Sequence, residues 1–151
     1  MKHLLLLLFI AAAVSYCPAQ TLTMDKVPAA AANAFKQKFP NGSQPSWSKE
    51  GNAFDVDFYN GKKPQSALFD RSGKWLETET QLNFGALPQK VQSTYEKEFE
   101  GYKVQETYEV ESPEGITYSI TAFKGNKNYE ATFSDKGELL KKVQGEGDED
   151  E

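Results

Sequence analysis

The chain has 151 residues, with 17 Lys or Arg against 22 Asp or Glu and a formal net charge of −5. Its single His (His3) and single Cys (Cys17) both lie near the start. Five of the acidic residues crowd into residues 146–151, "EGDEDE", so the body of the chain is close to neutral. No basic patch points to nucleic acid, and the acidic end has the composition of a solvated, disordered tail.

The start reads as a secretory leader. Lys2 and His3 form a short positive region, and residues 4–14 are an apolar run. Such a run is too short for a bilayer span, which takes ~20 residues, but fits a signal peptide. Cys17 and Ala19 are the small residues that place cleavage after Ala19. A lipoprotein leader, lipidated at Cys17, is the rival reading; Tyr16, a bulky residue before that Cys, argues against it. Residues 1–19 are therefore expected to be a signal peptide and the chain to be exported, to the periplasm or beyond. Cleavage removes His3 and Cys17. Without an imidazole, Ser-His-Asp and Cys-His catalysis have no base. Zinc sites built on His or Cys are excluded too, and no disulfide can form.

Val27-Pro28 opens the first regular element. Val27, Ala31, Phe35 and Phe39 recur every four residues and line one helical face. Pro28 suits a helix start, where its missing N–H costs nothing. A weak strand is expected around "PSWSKE". The period then switches to two: Phe54, Val56 and Phe58 alternate with Asp55, Asp57 and Tyr59, as in a half-buried strand. Asn60-Gly61 is a hairpin turn. A strand with Ala67 and Phe69, a turn at Gly73 and a last strand over residues 74–80 follow.

The same order then returns. Leu87, Val91, Tyr95 and Phe99 each stand 60 positions after their counterparts. A weak strand is expected in "YKVQETYEV". Ile116, Tyr118, Ile120 and Ala122 alternate with Thr117, Ser119, Thr121 and Phe123. Gly125, Ala131, Phe133 and Gly137 stand 64 positions after Gly61, Ala67, Phe69 and Gly73. The four extra residues fall near "ESPEG", which suggests a longer first hairpin loop in the second copy. Residues 20–84 and 85–144 are thus expected to be two units, each a helix and about four antiparallel strands, followed by a tail over 145–151. A unit of about 60 residues is marginal alone. The expected fold is α+β, with both helices on one face of an antiparallel sheet and the other face partly open.

Two copies of hydrophobic-Pro, a helix ending in Phe, and strands with a Gly turn resemble the PepSY-like, beta-lactamase-inhibitor-like family of exported Bacteroidetes-type proteins. The residues that carry the likeness are Val27-Pro28, Phe35, Phe39, Trp47, Phe69, Gly73 and Trp75-Leu76. Their second-copy equivalents are Leu87-Pro88, Tyr95, Phe99, Tyr108, Phe133, Gly137 and Leu139-Leu140. The resemblance implies tandem helix-plus-sheet modules, export, and a non-enzymatic role in binding or inhibition. The disulfides of beta-lactamase inhibitor protein are absent here.

Four aromatics are the candidate partner-binding residues: Trp47, Tyr59, Tyr108 and Phe123. Tyr59 and Phe123 alternate away from the helices, where they could anchor a partner or tuck under neighbouring loops. Trp47 could equally be core, and Trp75 reads as core because its counterpart is Leu139. Asp55 and Asp57, like Glu77 and Glu79, read as a solvated strand face rather than an acid–base pair. Lys62 and Lys63 read as edge-protecting charge. No catalytic, metal or cofactor residues are expected, and no membrane span after cleavage. The expected partner is another envelope or secreted protein. The alternative is a small-molecule or ion-binding envelope protein, which would need a cavity of about 300 Å³ or more.

Overall fold

The computed structural model describes residues 21–145. The expected leader and cleavage site, with Cys17, and residues 146–151 of the expected tail lie outside the described residues. The fold is α+β: two helices and one eight-stranded antiparallel sheet whose strands lie side by side in chain order. A 3₁₀ turn at Met24–Lys26 leads into α1 (Ala29–Lys38), then β1 (Gly42–Glu50), β2 (Ala53–Asn60), β3 (Lys63–Asp70) and β4 (Trp75–Gln81). A second 3₁₀ turn at Phe84–Ala86 leads into α2 (Gln89–Glu98), then β5 (Lys103–Ser112), β6 (Gly115–Lys124), β7 (Lys127–Ser134) and β8 (Leu139–Gln144). Among the described residues, no helix is long and apolar enough to cross a membrane.

Pro28 and Pro88 sit immediately before the helices, and their carbonyls accept from Ala32 and Gln92 N–H. Each four-residue stripe packs onto strand residues of the same half. Val27, Ala31 and Phe35 join Trp47, Phe54, Val56, Phe58, Ala67 and Phe69 in one buried cluster. Leu87, Val91, Tyr95 and Phe99 join Tyr118, Ile120, Ala122, Ala131 and Phe133 in a second. Both lie on one side of the sheet, because the row Phe58–Gln65–Thr80–Glu109–Tyr118–Phe133 runs across paired strands from one cluster to the other. The middle of that row is polar. Gln65 Nε2 donates to Thr80 Oγ1 at 2.7 Å, and Tyr118 OH donates to Glu109 Oε2 at 3.4 Å. One continuous sheet thus carries two cores divided by a polar seam.

Gly73 and Gly137 are required by close approach as well as by their left-handed φ of +85° and +84°. A Cβ there would lie 2.6 Å from the Ala30 carbonyl oxygen and 2.7 Å from Lys90 backbone carbon, so each turn presses on the first turn of its helix. Asp70 organises the first of these turns by accepting from Ser72 N–H, Ser72 Oγ–H and Lys74 N–H. Those bonds hold its carboxyl below the usual aspartate range.

Two expectations are corrected. "ESPEG" is not a longer loop. The β1–β2 hairpin ends at the pair Glu50–Ala53, while β5–β6 continues to Glu111–Ile116 and Ser112–Gly115. The four added residues extend the ladder by two further pairs and leave a two-residue turn. Nor is Trp47 equivalent to Tyr108. Trp47 pairs with Val56 and Thr107 with Ile120, so Thr107 is the counterpart. Leu22 N–H to the Trp47 carbonyl and Leu82 N–H to the Thr107 carbonyl repeat the same contact. Tyr108 lies one residue further on, and a one-residue step in a strand reverses the face.

Candidate functional site

The side of the sheet opposite the two cores is called here the outer face. Its cross-strand rows follow from the register. One row reads Ser48–Asp55–Leu68–Glu77. The next reads Ser46–Asp57–Ser66–Glu79–Val110–Thr117–Ser134. A third pairs Tyr59 with Pro64, and across β4 to β8 a fourth runs Gln81–Tyr108–Ser119–Thr132–Lys141. Carboxylates therefore concentrate on β1, β2 and β4, while β5–β7 present mostly hydroxyls.

A cavity of about 450 Å³ opens on this face. Asp57, Tyr59, Pro64, Ser66, Glu79 and Tyr108 line it, together with Gln44. Gln44 reaches it through a β-bulge between Ser43 and Ser46, with a left-handed φ of 53°. A bulge bends the strand and redirects a side chain, and a non-glycine residue at this φ is uncommon. The Tyr108 ring is held by its hydroxyl, which donates to Glu106 Oε2 at 3.2 Å.

The electrostatics are one-sided. Burial, then the charges of Asp57, Glu50 and Glu79, push the Asp55 carboxyl up to about 7. Burial, then Glu77, Glu50 and Glu130, push Glu79 up to about 7. Glu77 is raised by burial and by Glu50. The burial has a visible source. Val110, 5 % exposed and a member of neither core, stands beside Glu79, and Leu68 stands between Asp55 and Glu77. Among the described residues, no group of three or more acidic, His or Cys side chains is placed to hold a metal ion.

The four candidate aromatics separate. Tyr59 and Tyr108 line the cavity together. Phe123 is exposed on the same face, paired with Lys103 and Asn128 at the far half. Trp47 leaves the set: it is 2 % exposed and packs on Phe35 and Phe69, with ring centroids 5.8 and 6.2 Å apart. Its polar sequence neighbours, Ser46 and Ser48, point to the other face. Trp75 is partly buried against the first core, donates to Thr78 Oγ1 at 2.9 Å, and carries Lys38 Nζ 3.6 Å above its ring centre. Sequence reasoning passed over Glu79, Pro64 and Gln44 as site residues. Alternation places Glu79 and Pro64 on the outer face, but only the register shows them beside Asp57 and Tyr59.

The family profile described as "Putative beta-lactamase-inhibitor-like, PepSY-like" matches residues 52–141. A BLIP-like protein from Bacteroides fragilis is structurally similar, with a TM-score of 0.70 and 26% identity over 81% of this chain and 89% of that one. A Bacteroides eggerthii protein, one of the "putative periplasmic proteins", has a TM-score of 0.73 and 23% identity over 78% of this chain and 88% of that one. A DUF2874 family protein from Bacteroides uniformis has a TM-score of 0.73 and 20% identity over the same shares. A search of curated proteins found no match.

Proposed function

The chain belongs to the PepSY-like, beta-lactamase-inhibitor-like family, and from that premise we propose that it is an exported, non-enzymatic binding protein that docks another protein on the outer face of its sheet. In this reading the two halves are a tandem repeat that lays both helices on one face and leaves the other for a partner. The observation that carries it is the cavity of about 450 Å³ on that face, walled by Tyr59 and Tyr108. Tyrosines on a surface not covered by the protein's own core are the side chains that most often anchor partners. The likeness to a BLIP-like protein and to a protein described as periplasmic supports a protein partner in the cell envelope.

The test is a pull-down from envelope extract, comparing wild type with Tyr59→Ala/Phe123→Ala and with Tyr108→Ala. Loss of a specific protein from the variants, with unchanged circular dichroism, is the expected result. Equal recovery by all three would remove these aromatics from the site. The cavity also exceeds the volume a small ligand needs, which supports a second reading, a small-molecule-binding envelope protein. Saturable binding of a metabolite blocked by Tyr108→Ala, with no protein retained, would favour it.

A further inference from the structure

The protein-docking reading leaves open what kind of partner fits the outer face; the inference here rests on that reading and names the partner's chemistry. Strands β1–β4 present Glu50, Asp55, Asp57, Glu77 and Glu79 on this face. Neither Lys nor Arg occupies an outer-face position on these four strands. Lys49 pairs with Phe54 and Lys63 with Asn60, which puts both on the core side by alternation. Asp57 and Glu79 lie in one row with Ser66 between them, roughly 10 Å apart at ordinary strand spacing. That separation is comparable to the screening length at physiological salt, about 8 Å, so the carboxylates share one field rather than act singly.

The groups also surround a concave feature instead of standing on a convex tip. Asp57 and Glu79 line the cavity, Tyr59, Tyr108 and Pro64 wall it, and the bulge that holds Gln44 at positive φ turns that side chain toward it. A cation resting between carboxylates and aromatic faces gains both charge pairing and cation–π attraction. The carboxylates are dispersed along strands and do not converge as metal ligands do, so the surface matches a spread of cationic side chains better than a single ion. The outer face of β5–β7 offers mostly hydroxyls, Thr117, Ser119, Thr121 and Thr132, and there Glu106 and Glu130 share the face with Lys103, so the carboxylates without a basic neighbour on their own face are those of β1–β4.

We propose that the outer face of β1–β4, with Tyr108 of β5 beside it, is a docking surface for a basic segment of a partner protein, with one Arg or Lys side chain entering the cavity against Asp57 and Glu79 and beside Tyr59 and Tyr108. Charge complementarity is the basis. A surface with unrelieved negative charge gains from a cationic partner and repels an acidic one, so the sign of the field selects the partner.

The test titrates ¹⁵N-labelled protein with the peptide acetyl-Gly-Arg-Gly-Arg-Gly-amide and with its citrulline analogue, at low salt and pH 8. The expected result is amide shifts centred on Asp57, Ser66, Glu79 and Tyr108, at least fivefold weaker binding in Asp57→Asn/Glu79→Gln, and a similar loss with citrulline. Equal affinity in that variant, or shifts confined to the acidic residues 146–151, would overturn the proposal. So would calcium moving the same amides at lower concentration than the peptide. The pull-down separates the two readings. A partner lost from Tyr59→Ala/Phe123→Ala or from Tyr108→Ala but kept by Asp57→Asn/Glu79→Gln would leave protein docking standing and remove the basic segment.

Discussion

The two halves build the same helix-on-sheet contact with different side chains. At residue 47 the first half has Trp; at the equivalent 107 the second has Thr. The indole of Trp47 packs on Phe35 of α1 at 5.8 Å. In the second half the equivalent helix residue, Tyr95, is met instead by Phe84, at 5.3 Å, from the 3₁₀ turn. The first-half counterpart of Phe84 is Met24, which is 56 % exposed. Each half thus supplies one large side chain at this end of its helix, from the strand in one case and from the turn in the other. Thr107, freed from filling the core, donates its hydroxyl to the Leu82 carbonyl. The lesson is that the volume at a core position is held in common, while the residue that supplies it is not.

On the outer face the halves diverge without such compensation. Asp55 and Asp57 on β2 stand where β6 has Ser119 and Thr121, and Glu79 on β4 stands where β8 has Val143. No packing demand accounts for the carboxylates, since Ser119, Thr121 and Val143 at the equivalent positions fit the same backbone.

The strongest way to break the comparison is to empty one core and watch the other. Phe69 and Phe133 are equivalent and both 0 % exposed. Phe→Ala at either should cost about 3–5 kcal/mol. Both Trp residues, Trp47 and Trp75, lie in the first half, so their fluorescence reports that half alone. The sheet is hydrogen-bonded across the seam from β4 to β5, and Phe133→Ala should therefore lower the urea midpoint seen by Trp fluorescence as much as that seen by circular dichroism. Separate midpoints would show that the polar seam divides two independent units.

A sharper version transplants the second half's solution into the first. Trp47→Thr should cost on the order of 3–5 kcal/mol, as other large aromatic truncations do. Adding Met24→Phe to it should recover about 1 kcal/mol, since the new ring can reach Phe35 as Phe84 reaches Tyr95 and buries apolar area there. Thermal unfolding followed by circular dichroism measures both. Met24→Phe alone, with Trp47 in place, should give no such gain. A double variant no more stable than Trp47→Thr would refute the shared-volume account.

Most of the scaffold was legible because it is written in periods. Four-residue stripes ending in Phe39 and Phe99, two-residue alternation in β2 and β6, and glycines at Gly73 and Gly137 each leave a mark on the sequence. Where the periods weaken, legibility fails for identifiable reasons. β1 carries a bulge and Pro45, so counting along "PSWSKE" could not assign Trp47 to a face, and its match with Tyr108 was one residue out. The insertion at "ESPEG" looked like a loop because Pro and Gly favour turns, whereas Glu111 and Ser112 continue the ladder. The site was less legible still. Asp55 and Asp57 are visible as a pair, but that Glu77 and Glu79 join them depends on register across β3, which no single strand's pattern contains.

The outer-face difference predicts a smaller effect whose sign depends on pH. Asp55 and Glu79 both titrate at about 7 in the folded chain, well above the ~4 of an unfolded carboxyl. Between those values the folded state binds more protons than the unfolded state, so stability falls as pH rises from about 4 toward 7 and the full cost remains above it. The groups facing Asp55 are Asp57, Glu50 and Glu79, and those facing Glu79 are Glu77, Glu50 and Glu130. The strands alongside add Ser48 from β1, Leu68 and Ser66 from β3, and Val110 and Tyr108 from β5, none of them cationic. Asp55→Asn should accordingly stabilise the protein on the order of 1 kcal/mol at pH 8, a fraction of what the shift allows at ~1.4 kcal/mol per unit, and have no effect at pH 4. Asp57→Asn, one of the charges acting on Asp55, should give a smaller gain with the same pH dependence. Ser119→Asn, the β6 equivalent of Asp55→Asn, should show none. Melting temperatures of these variants at pH 4, 6 and 8 decide the matter. A pH-independent gain from Asp55→Asn would mean that its carboxyl is solvated and ordinary, and that the acidic half of the face carries no stored repulsion for a cationic partner to relieve.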